Sequence, residues 1–119
     1  MKVLCIQPTD LRNNNTPKYS GLRLDEVYAV LQIYIDPKRF TRFRIAPSDG
    51  GSPALYDSDI FLTVDGSIPE NWVVQVREGG VVDFAPAAWL EDGFWERYFD
   101  GEPAAVATFE AEKHKIVGD

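Results

Sequence analysis

The chain has very few of the residues that most often carry chemistry. Among 119 residues it contains one cysteine, Cys5, and one histidine, His114. A lone cysteine cannot form an internal disulfide, and these two residues cannot complete a zinc site. Cys5 lies in an apolar run and is interpreted as a small core residue. A nucleophile pair with His114 would need the fold to join the two chain ends. The composition therefore predicts neither a bound metal nor a cofactor.

Long apolar runs are lacking as well. No run reaches the roughly 18 residues that a membrane-spanning helix needs. The N-terminus lacks the basic region, apolar stretch and cleavage site of a secretory signal. A single cysteine also suits a reducing compartment. We expect a cytoplasmic protein without membrane contact, folded as a single domain over residues 1–119, because this length supports one real core and no linker is evident.

Basic residues are scarce in the second half of the chain. Residues 1–56 carry 8 Lys and Arg against 5 Asp and Glu, whereas residues 57–119 carry 4 against 14, giving formal charges of +3 and −10. From Glu78 to Glu112 there are nine carboxylates and one base, Arg97. This density repels phosphate backbones and attracts basic partners, so no nucleic-acid binding is expected there. Solubility alone would also explain the acidity, and that alternative stays open.

The aromatic residues concentrate in residues 86–101, which we call the hub segment. Its 16 positions hold five aromatic and four acidic residues. Four rings recur at i, i+1, i+4 and i+5, a spacing that predicts one apolar face of a short helix. These rings are Phe94, Trp95, Tyr98 and Phe99. The other faces then carry Glu91, Asp92, Glu96 and Asp100. A contribution to the core would by itself explain the rings.

Short apolar runs bounded by turn residues predict strands before the hub segment. They cover residues 2–7, 26–36, 42–46, 54–56, 60–64, 71–77 and 81–84. The pairs 26–36 with 42–46 and 71–77 with 81–84 are predicted hairpins. Residues 8–20 predict an exposed loop. A helix is expected from about residue 103 to 116, with Pro103 in its first turn. The predicted fold is α+β: a twisted antiparallel sheet or small open barrel of five to six strands with two C-terminal helices.

Four basic residues surround the first predicted hairpin as the one basic patch of the sequence. They are Lys38, Arg39, Arg42 and Arg44. We interpret them as solvated or paired with the acidic half, although an anion would also suit them.

Paired carboxylates are the remaining route to catalysis. Glu91 with Glu96, or Asp57 with Asp59, would suit glycoside hydrolysis or a metal-assisted reaction. A compact sheet of this length leaves little room for a substrate cleft, so we do not expect an enzyme. Asp57 and Asp59 are interpreted as turn and capping residues, because the glycine and distal glutamate of a calcium loop are missing.

A binding role uses the residues that are present. Trp89, Trp95 or Tyr98 is expected to supply an exposed anchor within a ring of carboxylates, matching a partner rich in Lys and Arg. The predicted partner-binding residues are Trp89, Glu91, Asp92, Trp95, Glu96, Tyr98, Asp100 and Glu102. Toxic nucleases are a natural partner class, because their clefts must be basic to hold RNA or DNA.

Several segments resemble a group of small acidic bacterial proteins. The resemblance rests on Pro86-Ala-Ala-Trp89 and Gly93-Phe-Trp-Glu-Arg-Tyr-Phe-Asp-Gly101, with Tyr28-Ala-Val-Leu31 and Pro53-Ala-Leu-Tyr56. The resemblance covers roughly residues 21–117, and some proteins of this kind resemble toxin-immunity proteins, including those of contact-dependent inhibition systems. The segments 28–35 and 43–56 also resemble an SH3-like open barrel. Together with the charge asymmetry and the absence of catalytic residues, this favours an immunity-type inhibitor that neutralises a basic toxin domain, most naturally a nuclease.

Two other functions remain open at this point. One is a non-catalytic accessory or structural module of phage or bacterial origin that self-associates through its sheet edge. The other is an enzyme that uses Glu91 and Glu96.

Overall fold

The described residues form two larger antiparallel sheets that share one core, a separate two-stranded sheet, and two helices on the far side of the largest sheet. The computed structural model describes residues 1–7, 9–10, 16–17, 21–48 and 50–118. The strands are β1 (Lys2–Cys5), β2 (Thr9–Asp10), β3 (Thr16–Pro17), β4 (Val27–Ala29), β5 (Gln32–Ile35), β6 (Arg42–Ile45), β7 (Ala54–Asp57), β8 (Phe61–Asp65), β9 (Trp72–Val76) and β10 (Val82–Pro86). The helices are α1 (Phe94–Phe99) and α2 (Pro103–Val117), and 3₁₀ turns cover Ser58–Ile60, Glu78–Gly80 and Ala87–Leu90.

All neighbouring strands run antiparallel. The smaller sheet has the order β4-β1-β8, the larger has the order β7-β6-β5-β10-β9, and β2 pairs with β3 alone. This confirms the predicted α+β class, both predicted hairpins and the two C-terminal helices. Apart from β2 and β3, the described strands form two sheets, of three and five strands, where the sequence predicted one sheet. These strands do not close into a barrel. Apart from β2 and β3, the predicted loop over residues 8–20 lies outside the described residues.

The chain changes sheets inside the segment predicted as one strand, residues 26–36. Its first part, β4, pairs with β1, and its second part, β5, pairs with β6 and β10. At the crossing point Val30 N donates to Met1 O at 3.0 Å, and Leu31 N donates to Arg44 O at 2.9 Å. One apolar run therefore supplies a strand to each of the two larger sheets, where the sequence pattern predicted a single strand.

The first core lies between the two sheets. Val3 and Cys5 of β1 are buried against Phe43 and Ile45 of β6, and the rings of Phe43 and Phe61 lie 6.0 Å apart between centroids. These residues alternate along their strands, as one buried face requires. Burial raises the pKa of the Cys5 thiol. A reactive thiol needs a lowered pKa, so this environment suits a core residue and not a nucleophile.

The second core lies between the larger sheet and the C-terminal helices, with Phe109 at its centre. The Phe109 ring stacks on Trp89 at 5.0 Å between centroids, lies 4.7 Å from Tyr98 and 5.9 Å from Trp95. Helix α2 is thereby packed onto the hub segment. Within the described residues, no helix combines the length and apolar character needed to cross a bilayer.

Because Phe109 lies at the centre of this core, Phe109→Ala should destabilise the protein much more than Phe99→Ala. Phe109→Ala should lower the free energy of unfolding by about 3 to 5 kcal/mol, because it removes a buried ring and leaves a cavity. Phe99→Ala, at the exposed end of α1, should cost less than about 1 kcal/mol. Urea denaturation followed by tryptophan fluorescence measures both, and similar losses would show that Phe109 does not organise this core.

Candidate functional site

The hub segment follows β10 directly and is built from short, sharply limited elements. Pro86 ends β10, the 3₁₀ turn Ala87–Leu90 follows, and α1 begins after Gly93. Gly93 has φ of 78°, in the left-handed region where a glycine is favoured. Phe94 N donates to Glu91 O at 3.1 Å across this turn. The turn therefore brings the acidic pair of Glu91 and Asp92 next to the start of α1.

The exposure of the aromatic residues differs from the prediction. Trp89 is 1% exposed, so the prediction that it can be an exposed anchor is wrong: the residue lies in the turn after β10 and is covered by Phe109. Trp95 and Tyr98 are half-buried, whereas Phe99 is 53% exposed. Phe99 lies about 140° around the helix from Phe94, at the edge of the apolar face, which is why this ring extends beyond the core.

The predicted carboxylates of this region are all exposed. They are Glu91, Asp92, Glu96, Asp100 and Glu102. In the part of the chain that the structure describes, none of them forms an ion pair. The nearest base in sequence, Arg97, donates instead to the backbone oxygen of Asp92 at 3.2 Å. We call these five carboxylates, together with Phe99, the acidic hub surface.

The predicted basic patch is divided between different environments. Lys38 and Arg39 are exposed in the β5–β6 turn. Arg42 Nε lies 3.3 Å from Oδ1 of Asp57 on the neighbouring strand β7. The Asp57 side chain pairs with this arginine and makes no capping hydrogen bond to the 3₁₀ turn that follows it. Arg44 is buried, which contradicts its place in a surface cluster, because the hub segment covers the face of β6 on which it lies. The patch therefore does not neutralise the acidic hub surface.

Arg44 forms the contact between the larger sheet and the hub segment. Its Nε donates to Gln32 Oε1 at 2.9 Å and its Nη1 donates to Pro53 O at 3.3 Å. Its Cζ lies 3.7 Å from the centroid of the Trp95 ring, within the range of a cation–π interaction. Burial lowers the pKa of Arg44 to about 10, while the Asp83 carboxylate opposes this shift. The guanidinium is therefore still charged at neutral pH.

Asp83 supplies the negative charge that this buried region requires. The residue is 0% exposed. Its Oδ1 accepts from Gln32 Nε2 at 3.0 Å, and its Oδ2 accepts from Arg77 through Nε at 2.8 Å and through Nη2. Trp95, Arg44, Gln32, Asp83 and Arg77 thus form one continuous chain of contacts, which we call the buried polar network. It contains two cations and one anion.

The buried polar network was missed in the sequence because polar residues inside strands are usually assigned to the solvent face. The register places Gln32 opposite Arg44, and Tyr34 opposite both Arg42 and Asp83. All of these residues lie on the face of the sheet that the hub segment covers. The available signal was the position of Asp83 two residues before the buried Ala85 in β10, because residues i and i+2 of a strand lie on the same face.

Two adjoining hollows lie where the network meets the hub segment. The first, of about 270 Å³, is lined by Arg44 and Arg77, by Trp89 and Trp95, and by the acids Glu91, Asp92 and Glu96. The second, of about 420 Å³, is bounded by β9 and is lined by Val73, Val74, Gln75, Ala87, Leu90, Glu91 and Asp92. Leu90, Glu91 and Asp92 line both hollows and therefore lie between the buried polar network and β9.

Of the predicted carboxylate pairs, Glu91 and Glu96 both line the first hollow. Among the described residues, no cluster of three or more His, Cys, Asp or Glu is placed to hold a metal ion. Asp57 is buried against Arg42, whereas Asp59 is exposed. Comparisons of the chain with protein-family models, with curated proteins and with solved structures found no match. The function is therefore argued from the site, because a fold alone does not specify one.

The buried polar network predicts a strong difference between two carboxylate substitutions. Asp83→Asn should lower the free energy of unfolding by about 3 kcal/mol, because it leaves Arg44 and Arg77 without a buried anion. This value is at the lower end of the range for breaking a buried ion pair, since Arg77 is partly exposed. The exposed matched variant Asp92→Asn should change stability by less than about 0.5 kcal/mol. Chemical denaturation compares them, and equal stabilities would contradict a stabilising role for Asp83.

Proposed function

We propose that the chain is an immunity-type inhibitor that binds a basic protein domain, most naturally a nuclease toxin in the cytoplasm, through the acidic hub surface. The observation that carries this proposal is the set of five exposed carboxylates without an ion pair in the described part of the chain. A nuclease must hold polyanionic substrate in a basic cleft. A carboxylate surface seated on that cleft competes for the same cations and so blocks the substrate.

The carboxylates are supported by well-packed neighbours. Helix α1 carries Glu96 and is followed directly by Asp100. Its rings Phe94, Trp95 and Tyr98 pack against one another, and Trp95 and Tyr98 also pack against Phe109. The contact of Trp95 with Arg44 attaches the same helix to the sheet. A pre-organised surface loses less conformational entropy on binding than a flexible acidic tail. This supports specific inhibition over general attraction of cations.

Phe99 replaces the anchors expected from the sequence. It is exposed and is followed directly by Asp100. An aromatic ring beside charged groups is the usual composition of a binding hot spot, where the ring is desolvated and the charges select the partner.

A self-associating accessory module is the second candidate. Its support is β9, an outer strand with exposed valines. The net charge of −7 opposes it, because two copies repel each other.

The inhibitor proposal predicts that charge position, not total charge, controls association. The probe is the basic product of the neighbouring reading frame, co-expressed and then immobilised. The double variant Glu96→Gln with Asp100→Asn should associate about tenfold more slowly at low salt and lose much of its salt dependence. The control, Asp25→Asn with Asp65→Asn, removes the same charge from exposed positions at the smaller sheet and should associate as the unmodified protein does. No complex, or equal effects of the two variants, would overturn the proposal.

Phe99 provides a separate test of the same surface. Phe99→Ala should weaken the complex by about 2 kcal/mol, chiefly through faster dissociation, since a hot-spot ring is lost while long-range attraction remains. Leu62→Ala serves as a comparison, because it removes a similarly exposed apolar side chain from the smaller sheet and should leave affinity unchanged. Surface plasmon resonance separates the two rates, and an unchanged dissociation rate would show that Phe99 lies outside the interface.

A further inference from the structure

We propose that the free edge of β9 binds an extended segment of the partner as a sixth strand of the larger sheet, and that this segment alternates basic with apolar side chains. The inference rests on the proposed function only for the charge of the partner. The β9 edge is a different surface from α1. It lies beside the acidic hub surface, and both surfaces include Glu91 and Asp92.

At this edge the backbone of β9 presents N–H and C=O groups that no described strand pairs with. Arg77 N donates to Val81 O at 2.7 Å, which identifies these two residues as a hydrogen-bonded pair. Antiparallel pairs alternate, so Val76 and Val74 occupy non-hydrogen-bonded positions relative to β10. Their N–H and C=O groups therefore point away from β10. Pro86 opposite Trp72 agrees with this phase, because proline has no N–H to donate.

The side chains of β9 define what an added strand must carry on each face. Val74 and Val76 lie on one face and are 60% and 70% exposed. A strand paired with them covers these valines if its own side chains on that face are apolar. On the opposite face, Val73 and Gln75 line the second hollow, of about 420 Å³, with Leu90 on its wall.

The acidic residues around the hollow select basic side chains for that opposite face. Glu91 and Asp92 line the hollow together with Leu90. A lysine or arginine can place its aliphatic stem along Leu90 while its charged end reaches these two carboxylates. Apolar residues on one face and basic residues on the other give the alternating pattern.

Charge also selects a foreign segment over a second copy of the chain. Pairing β9 with β9 of another copy would bring two sets of these carboxylates together, on proteins of formal charge −7 each. A basic extended segment removes that repulsion and satisfies the open backbone groups. Strand addition of this kind gives affinity through the main chain and specificity through alternate side chains.

The test uses synthetic peptides and needs no gene product. A labelled peptide of alternating lysine and valine should bind at low salt at least about tenfold more tightly than an equally charged lysine–glycine peptide, and a glutamate–valine peptide should not bind. Hydrogen exchange should show new protection of the Val74 and Val76 amides. Equal binding of the lysine–glycine peptide, or no protection of these amides, would overturn the proposal.

A proline at the edge separates backbone pairing from simple attraction. Val74→Pro removes an outward N–H that β10 does not use, so the fold should persist while lysine–valine peptide binding falls at least about tenfold. Val74→Thr keeps the N–H and should bind within about threefold of the unmodified protein. Circular dichroism checks folding, and Val76→Pro is the second variant if Val74→Pro does not fold.

The remaining outcomes distinguish this inference from the inhibitor proposal. Unchanged peptide binding by a folded proline variant would overturn the edge site alone, and so would a concentration-dependent dimer that this variant dissociates. If the double variant at Glu96 and Asp100 loses the complex but binds the lysine–valine peptide unchanged, the result supports the acidic hub surface as one site and the β9 edge as a separate site.

Discussion

The contact of Arg44 with Trp95 is the constraint on which the rest of this molecule depends. It places a charged guanidinium between the larger sheet and the hub segment, 3.7 Å from the ring centroid. A buried cation is costly unless it is compensated, and Gln32, Pro53 and the nearby Asp83 provide that compensation. Because the same contact attaches α1 to the sheet, the position of the acidic hub surface follows from it.

The interior and the surface of the hub region carry opposite charge. The buried polar network has two arginines and one aspartate, whereas the exposed residues just above it are carboxylates. The carboxylates are exposed, so water screens the repulsion among them, and the acidic segment folds onto the sheet although none of the five forms an ion pair within the described residues. A partner that removes this water on binding must provide basic groups that compensate for the lost hydration of the carboxylates.

The two proposed contact surfaces meet at one end of the larger sheet. Glu91 and Asp92 line both the hollow above the buried polar network and the hollow beside β9. A partner with a basic cleft and a neighbouring extended segment would engage a charged surface and an open strand edge at once. In these proposals the first contact would speed encounter and the second would add directional hydrogen bonds, so the two would serve different steps of association.

Local signals in the sequence were sufficient for much of the fold. The structure confirms the strand end predicted at Pro86 and the hairpin turn predicted at residues 78–80. It also confirms α1, which the spacing of the aromatic rings predicted. The division of residues 26–36 between two sheets was not predictable in this way, because both parts are extended and apolar and differ only in the strands they pair with.

The candidate site was predictable in its charge but not in its exposure. The sequence alone determined that carboxylates and aromatic rings would occur together near the C-terminus, since composition and helical spacing are properties of the chain itself. Only the tertiary structure decided that Trp89 is buried, that Phe99 is exposed and that Arg44 lies inside. Burial depends on which elements pack against a given face, and that packing joins residues far apart in the chain.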